Sequence, residues 1–193
     1  MNNQTPDNTS QSNLHKDTPP AGTLKKPVTS KGQLLLCLLV TAGLIVIDQI
    51  TKRIAVSTLA NGRSIPLIEG VLEFTFVENR GAAFGILQNA LPFFVVITIA
   101  ALLAIIYILL RIPADRRYLP VRAALCFIAA GAIGNFIDRL VLSYVRDFIY
   151  FSLIDFPVFN VADIYITCAT FFLILMALFY YKEDDDFAFL SDK

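Results

Sequence analysis

Four apolar segments, each about 20 residues long, constrain this chain more than any other feature of its sequence. A helix of about 20 apolar residues spans the ~30 Å hydrocarbon core of a bilayer. The segments contain only six of the 16 basic and 16 acidic residues, and 56% of the chain is hydrophobic. We therefore predict a mainly α-helical integral membrane protein rather than one with a water-soluble core. Its four transmembrane helices are expected at residues 34–54, 91–110, 123–142 and 161–181.

The two ends of the chain differ from the apolar segments in composition. Residues 1–31 are rich in Asn, Gln, Ser, Thr and Pro, which predicts a disordered tail because such a segment cannot bury enough apolar surface to fold. The first apolar run continues directly into Asp48 and Gln49 without a cleavage site of small residues. This pattern predicts an uncleaved anchor rather than a secretory signal peptide. The transmembrane domain is expected at residues 32–181, and an acidic tail at residues 182–193.

The positions of the basic residues predict how the helices are oriented. Short loops on the cytoplasmic side of a membrane carry an excess of Lys and Arg. Basic residues cluster before the first segment and between the second and third: Lys25, Lys26, Lys31, Arg111, Arg116, Arg117 and Arg122. We therefore predict that both termini and the 111–122 link are cytoplasmic, and that residues 55–90 and 143–160 face outward.

The formal net charge is +0, so the overall charge gives no indication of a nucleic-acid partner.

Four aspartates are expected to lie at one depth of the membrane. In the predicted orientation, Asp48, Asp138 and Asp163 each lie near the outer end of a helix, and Asp147 lies in the outer link after Asp138. Carboxylates in or near hydrocarbon are costly, tend to face a bundle interior or a watery cavity, and by default mark a functional site. This convergence is the strongest functional signal in the sequence.

Two of these aspartates have clear structural explanations. Asp48 and Lys52 are separated by four residues with the acid first, which is the favourable order for a helical ion pair. Asp138 adjoins Arg139, and Asn135 precedes them on the same helix face. These spacings favour structural pairing for Asp138, whereas Asp48 and Lys52 fit a structural role and a direct chemical role equally well.

The other two aspartates have weaker structural explanations. Asp163 has no basic residue within one helical turn. Asp147 has only the adjacent Arg146, and adjacent residues do not face each other on a helix. A strand or a loop around Asp147 would weaken this argument. Asp147 and Asp163 are therefore the stronger candidates for a chemical role.

The residue types available exclude several kinds of catalysis. The single histidine, His15, lies in the predicted tail, so a Ser-His-Asp triad, a Cys-His pair and a histidine zinc site each lack a required group. Cys37, Cys126 and Cys168 lie within apolar segments and are expected to act as small apolar residues. We expect neither a metal nor a cofactor. Two neighbouring aspartates can supply an acid and a base, which fits either a protease or a proton-coupled carrier.

The outer link after the first helix contains a strand pattern. Within an outer β segment placed at about residues 63–86, residues 65–78 alternate, with Leu72, Phe74 and Phe76 on one side. Gly70 is expected to allow a turn or bulge within this segment. An amphipathic sheet here fits two roles equally well: a surface that holds lipid or a peptide strand, and a lid without a binding role.

Five separated motifs carry a resemblance to a known family. The chain resembles bacterial lipoprotein signal peptidase, also called signal peptidase II, over roughly residues 33–181. The motifs occur in the family's order: VIDQITK around Asp48, ENRGAAFGIL around Asn79, GAIGNFIDRL around Asn135, VRDFIY around Asp147 and FNVADIYIT around Asp163. The resemblance implies an aspartyl endopeptidase of the bacterial inner membrane that removes the signal peptide from diacylglyceryl-modified prolipoproteins, N-terminal to the lipidated cysteine.

The resemblance also implies roles for individual residues. Asp147 and Asp163 would form the catalytic dyad at the extracytoplasmic face, and the family's outer β-cradle agrees with the strand pattern. Supporting or substrate-binding residues would be Asp48, Lys52, Asn79, Arg80, Asn135, Asp138, Arg139 and Asn160. The expected partners are the lipid-modified prolipoprotein and membrane phospholipid, with no nucleic acid, and the expected state is a monomer.

Three other functions remain open on the residues alone. A proton-coupled small membrane transporter also uses membrane carboxylates, although it needs a route across the bilayer. A Ser-Lys peptidase would use Lys52 as the base and Ser57 or Ser143 as the nucleophile. A purely structural membrane protein gives no reason to gather aspartates at one depth.

Overall fold

Four long helices form the body of the molecule. The computed structural model describes residues 29–81, 90–182 and 189–190. Each of the four helices is long and apolar enough to cross a membrane, which confirms the mainly helical membrane fold. They are α1 (Lys31–Leu59), α2 (Leu91–Arg111), α3 (Leu119–Leu142) and α4 (Val161–Phe179).

Helix α1 extends beyond its predicted apolar segment at both ends because local interactions continue it. Ser30 caps α1 by accepting a hydrogen bond from the Gln33 backbone N–H, and the Gln33 side chain accepts one from the Ser30 N–H. This reciprocal capping box starts α1 inside the segment predicted as a tail. At its other end, α1 continues to Leu59, which is buried with Ala55 against Phe148. The tail predictions for residues 1–31 and 182–193 otherwise fall mostly outside the described residues.

A three-stranded antiparallel sheet covers one end of the helices, which we call the sheet end. The strands are β1 (Ile65–Ile68), β2 (Leu72–Asn79) and β3 (Val145–Tyr150), in the order β1-β2-β3. The expected turn occurs at Gly70, between β1 and β2. Residues 82–86 of the predicted β segment lie outside the described residues. Asp147 and Arg146 lie on the strand β3. The expectation that adjacent residues do not face each other was based on a helix, so it does not apply to this pair.

Small residues on α3 allow three helices to approach closely at the sheet end. A Cβ on Gly131 would clash with the backbone oxygen of Ala162 in α4, and a Cβ on Gly134 would lie 2.5 Å from an Asp48 carboxylate oxygen in α1. Small residues are a common means of close helix packing in membranes. α3 is therefore the central helix on which the polar residues of α1 and α4 converge.

The outward surfaces of the helices are apolar. Leu38, Val96 and Phe171 are 65%, 68% and 62% exposed, respectively. Exposed side chains of this kind on several faces are typical of helices surrounded by lipid. The polar residues are instead buried between the helices, so this molecule has a polar interior at the sheet end and an apolar exterior.

Candidate active site

Buried polar side chains meet where α1, α3, α4 and β3 converge at the sheet end. All four aspartates singled out in the sequence, Asp48, Asp138, Asp147 and Asp163, belong to one hydrogen-bonded network. Most members of the network are fully or almost fully buried: Asp48, Lys52, Asp138, Asn160 and Asp147 are between 0% and 1% exposed. The convergence expected from the sequence is therefore present, and buried charges of this kind require partners.

Lys52 connects α1 to α3. Its Nζ lies 3.0 Å from Asp48 Oδ2 and 3.4 Å from Asp138 Oδ2, and it donates a 2.8 Å hydrogen bond to Asn135 Oδ1. The ion pair expected from the i,i+4 spacing of Asp48 and Lys52 therefore forms. Asp48 Oδ1 also accepts a 3.0 Å hydrogen bond from the Ala162 backbone N–H, at the start of α4. These contacts tie three helices together at one depth.

Asp138 does not pair with its neighbour Arg139, although their adjacency suggested such pairing. Its partners are Lys52 and Arg146, whose Nη2 lies 2.6 Å from Asp138 Oδ1. Successive side chains on a helix point in different directions, so Arg139 is directed elsewhere. The Arg139 guanidinium lies 4.4 Å from the Phe94 ring centroid and donates a 3.4 Å hydrogen bond to the Gly81 carbonyl. Structural pairing of Asp138 is confirmed, but with different partners.

Asn160 joins the two candidate catalytic carboxyls. Its Nδ2 donates a 2.6 Å hydrogen bond to Asp147 Oδ1, and its backbone N–H donates a 3.1 Å bond to Asp163 Oδ2. Asn160 also caps α4, because its side-chain oxygen accepts a hydrogen bond from the Asp163 N–H. A reciprocal cap of this kind fixes the orientation of both side chains. One residue therefore sets the relative positions of Asp147 and Asp163.

Two further asparagines donate to the carboxyl oxygens that Asn160 does not contact. Asn79 Nδ2 on β2 donates a 2.8 Å hydrogen bond to Asp147 Oδ2, and Asn135 Nδ2 on α3 donates a 2.7 Å bond to Asp163 Oδ1. Each carboxyl thus has a hydrogen-bond donor on both oxygens. Neither forms one of the ion pairs that hold Asp48 and Asp138. Asp147 and Asp163 are therefore positioned by neutral groups, which leaves them free to exchange protons.

Burial and the nearby Asp163 raise the pKa of Asp147 to about 7. The loss of solvation makes the larger contribution because it disfavours the charged carboxylate. Hydrogen bonds from Asn79 and Asn160 and the charge of Lys52 act in the opposite direction. A carboxyl with a pKa near neutrality can give up or accept a proton at physiological pH, as general acid-base catalysis requires.

A cavity of about 410 Å³ opens beside the two carboxyls. Asp147, Asp163 and Arg139 contribute polar groups to its lining. Its apolar lining includes Phe156, Pro157, Val158, Phe159, Ile164 and Cys168. Cavities with apolar walls and a few convergent polar groups are typical of ligand sites. Within the described ranges, no group of three or more His, Cys, Asp or Glu side chains is arranged to hold a metal ion.

Residues 40–179 match the family model described as Signal peptidase (SPase) II. The chain belongs to the signal peptidase II family. Two curated relatives bear the name lipoprotein signal peptidase. The one from Brevibacillus brevis is 44% identical over 137 residues, covering 71% of this chain and 91% of its own length. The one from Streptococcus pyogenes is 43% identical over 142 residues, covering 74% of this chain and 90% of its own length.

Two solved structures have the same fold, and both are described as a bacterial membrane enzyme structure obtained by the in meso method. The structure at 2.3 Å resolution has a TM-score of 0.67 and 32% identity, and the match covers 82% of this chain and 98% of that one. The structure at 1.9 Å resolution has a TM-score of 0.67 and 34% identity, covering 81% and 99%. This signal peptidase II family member is therefore a multi-pass bacterial membrane protein and a peptidase.

Family membership separates the functions that the residues alone left open. It favours a peptidase over a proton-coupled transporter or a purely structural protein. The geometry argues against a Ser-Lys pair, because Lys52 is held by Asp48, Asp138 and Asn135. Ser57 lies on an exposed face of α1 and donates its hydroxyl to the Ile54 carbonyl at 2.9 Å.

One predicted site residue lies apart from both the network and the cavity lining, and two network members were not predicted. Arg80 is about half exposed and pairs with Glu78 at 2.8 Å. Gln49 and Arg146 belong to the network around Asp138. The alternation of a strand through VRDFIY, which places residues 146 and 147 on opposite faces, is the signal that could have identified Arg146. Gln49 gave no comparable signal, since it is an uncharged residue between Asp48 and Ile50 of a helix.

Proposed function

We propose that this signal peptidase II family member is an aspartic endopeptidase that cleaves the signal peptide from diacylglyceryl-modified prolipoproteins, N-terminal to the lipidated cysteine. The observation that carries the proposal is the pair Asp147 and Asp163, joined through Asn160 at the wall of a cavity. The names of the curated relatives support the substrate class. The geometry supports two carboxyls that act together on a peptide bond.

Asp147 and Asp163 are proposed to start the reaction in different protonation states. Asp163 lies in the first turn of α4 and accepts hydrogen bonds from the Asn160 N–H and from Asn135 Nδ2. Both carboxyls accept hydrogen bonds on both oxygens, but of the two only Asp163 lies at a helix N-terminus, which stabilises a carboxylate. Asp147 has a pKa of about 7, raised mainly by burial, so it can retain its proton near neutrality. Asp163 is therefore the base and Asp147 the acid.

The reaction then follows from these two states. Asp163 removes a proton from water as the water oxygen attacks the scissile carbonyl carbon, and Asp147 gives its proton to the carbonyl oxygen. The resulting tetrahedral diol collapses when Asp163 protonates the departing amine nitrogen. Asp147 takes back a hydroxyl proton as the carbonyl re-forms and the carbon–nitrogen bond breaks. Both carboxyls return to their starting states, as general acid-base catalysis requires.

The surrounding residues are proposed to serve this pair. Asn79, Asn135 and Asn160 orient the two carboxyls through the hydrogen bonds described above. Asp48, Lys52 and Asp138 hold the helices at a fixed separation. Arg139 contributes its side chain to the cavity lining, where it is placed to contact the substrate. Arg80, which is exposed and paired with Glu78 next to Asn79, stays a predicted substrate-binding residue outside the network.

The membrane arrangement is also a proposal. The basic residues of the 111–122 link support cytoplasmic termini and an active site at the extracytoplasmic face of the inner membrane. The substrate's acyl chains would remain in the bilayer, so lipid anchoring would bring the scissile bond to the depth of the carboxyls. The protein is proposed to act as a monomer surrounded by phospholipid, because one copy of the chain supplies both carboxyls and a donor to each of their four oxygens.

The test replaces each carboxyl separately in purified protein. Asp147→Asn and Asp163→Asn should each reduce cleavage of a diacylglyceryl-modified prolipoprotein at least ~10³-fold, as loss of one member of a catalytic pair does. Asp155→Asn is the matched control, since Asp155 is exposed and contacts Tyr150 rather than the network. Full activity of either first variant would remove that residue from the pair. Equal cleavage of the modified and the unmodified prolipoprotein by the unaltered protein would contradict the proposal that the enzyme requires a lipid-modified substrate.

A further inference from the structure

Arg146 contacts one carboxylate through three donors. Its Nη2 and Nε lie 2.6 Å and 3.1 Å from Asp138 Oδ1 and Oδ2, and its backbone N–H donates to Asp138 Oδ2 at 3.0 Å. Bidentate contacts between an Arg and a carboxylate are strong and directional. Arg146 Nη2 also donates a 2.9 Å hydrogen bond to Gln49 Oε1. This residue therefore links β3 to α3 and to α1.

Gln49 closes the network on the helix side. Its Nε2 lies 3.2 Å from each of three acceptors, on Asp138, Asp48 and the Gly134 carbonyl. Acceptors on α1 and α3 thus fix the Gln49 amide, and its oxygen accepts the hydrogen bond from Arg146. A guanidinium that binds both a fixed amide and a fixed carboxylate has little freedom of its own. The part of β3 that carries Arg146 is accordingly anchored to the helices.

Asp147 follows Arg146 on this strand, and its side chain lies on the opposite face. Arg146 faces Asp138 and Gln49, whereas Asp147 faces Asn79 and Asn160. A shift of the strand that released Arg146 would therefore also move the Asp147 carboxyl away from Asn160. Arg146 does not border the cavity and makes no contact with either candidate catalytic carboxyl among the hydrogen bonds of the described residues.

Arg146 also balances the buried charge. Asp48 and Asp138 carry two negative charges at 0% exposure, and Lys52 and Arg146 supply the two positive charges that face them. Removing one member of a buried ion cluster leaves an uncompensated charge in a medium of low dielectric constant. Without Arg146 the cluster would have one excess negative charge next to the two catalytic candidates.

We propose that Arg146 is a positioning residue for peptide cleavage: through its bonds to Asp138 and Gln49 it holds β3 so that Asp147 stays aligned with Asn160 and Asp163. This inference rests on the proposed function of the carboxyl pair. Arg146 acts on the reaction indirectly, so its replacement is expected to lower kcat rather than to weaken substrate binding. A residue that served only to stabilise the fold would lower the amount of folded protein and leave turnover per folded molecule unchanged.

The first test compares Arg146→Met with Arg63→Met, which removes an exposed positive charge just before β1. Arg146→Met should lower kcat about 10- to 100-fold because small displacements of catalytic groups have effects of this size, with KM changed less than about twofold. Arg63→Met should retain the kcat of the unaltered protein. Arg146→Lys keeps the charge without the bidentate contact and should have an intermediate kcat. An unchanged kcat for Arg146→Met would overturn the inference.

The second test separates the charge from the fold. The double variant Arg146→Met, Asp138→Asn again balances the cluster, because Asp48 and Lys52 remain as a pair. The charged groups that act on Asp147 are Asp163 from α4, Lys52 from α1 and Arg139 from α3. The extra negative charge in Arg146→Met should move the alkaline limb of the kcat–pH profile to higher pH, and the double variant should reverse that shift. A profile identical in the single variant and the unaltered protein would contradict the charge-balancing role.

These outcomes are distinct from those that test the proposed function. If Asp147→Asn and Asp163→Asn retain activity, the carboxyl pair itself is wrong. If those variants are inactive but Arg146→Met turns over normally as a folded protein, only the positioning role is wrong. Thermal unfolding of each purified variant in detergent establishes that the compared molecules are folded.

Discussion

Two ends of the same helix bundle bury charged residues in different ways. At the sheet end, Asp48, Lys52, Asp138 and Arg146 neutralise one another beside a cavity. At the opposite end, which we call the tyrosine end because Tyr118 and Tyr181 stack there, the buried cation is Arg122. Its guanidinium donates to main-chain carbonyls, including those of Ile112 and Pro113 where α2 ends.

The difference shows that burial of charge does not by itself mark a catalytic site. Arg122 has a backbone role, because it satisfies carbonyls that a helix leaves free at its C-terminus. The sheet end differs in having two carboxyls, Asp147 and Asp163, that are hydrogen-bonded by amides and lie on the cavity wall. Carboxyls without a salt-bridge partner beside a cavity are candidates for proton transfer, whereas paired charges next to them serve as support.

The largest effect on stability is expected at the sheet end. Lys52→Met would leave Asp48 without its cation and weaken the neutralisation of Asp138. Breaking a buried ion pair from one side costs about 3–5 kcal/mol, so the melting temperature in detergent and the activity should both fall sharply. A Lys52→Met protein as stable as the unaltered chain would show that the ion cluster contributes little to holding the helices.

A smaller effect is expected at the tyrosine end. Arg122→Met would remove the donor to the Pro113 carbonyl, whereas the Ile112 carbonyl would keep its hydrogen bond from Thr29 Oγ1. The expected cost is about 1–3 kcal/mol for a buried polar group that loses a partner. The variant should melt at a lower temperature than the unaltered protein. Its kcat per folded molecule should not change, because no contact links Arg122 to the cavity residues in the described part of the chain.

The smallest expected effect is that of pH on the unaltered protein. The pKa of Asp147 is about 7 because burial and Asp163 disfavour its charged form. The proposed acid must be protonated, so kcat should decline as the pH rises through about 7, and by up to about tenfold for each further unit. Stopped-time cleavage assays over this range measure the decline. A kcat that rises steadily through pH 8 would contradict the assignment of Asp147 as the acid.

The helical part of the fold could be predicted from the sequence because it depends on local composition. Apolar runs of about 20 residues set the four helices, but Ser30 and the packing of Leu59 set where α1 begins and ends. β3 was not predicted, since it is a short segment and pairs with β2, where Val77 lies opposite Asp147. The alternation within VRDFIY does not show which strand it pairs with, because pairing between residues so far apart in sequence depends on the tertiary fold.

The site residues that could be predicted also depend on local composition. The acidic residues of helix ends were identified because charges are conspicuous in apolar segments. The pairing of Asp138 with Arg146 was not identified from the sequence. Arg146 contacts Asp138 only because β3 packs against α3 in the folded protein. Gln49 was overlooked because an uncharged amide in a helix has no distinctive spacing, although it joins Arg146 to α1.

The central claim is that Asp147 and Asp163 act as one catalytic unit. The most direct measurement is a double-mutant comparison of Asp147→Asn, Asp163→Asn and the variant with both changes, using kcat on a diacylglyceryl-modified prolipoprotein. Members of one catalytic unit have strongly non-additive effects, so the double variant should be no more than about tenfold slower than either single variant. Losses that multiply in the double variant would show that the two carboxyls act independently and would contradict the claim.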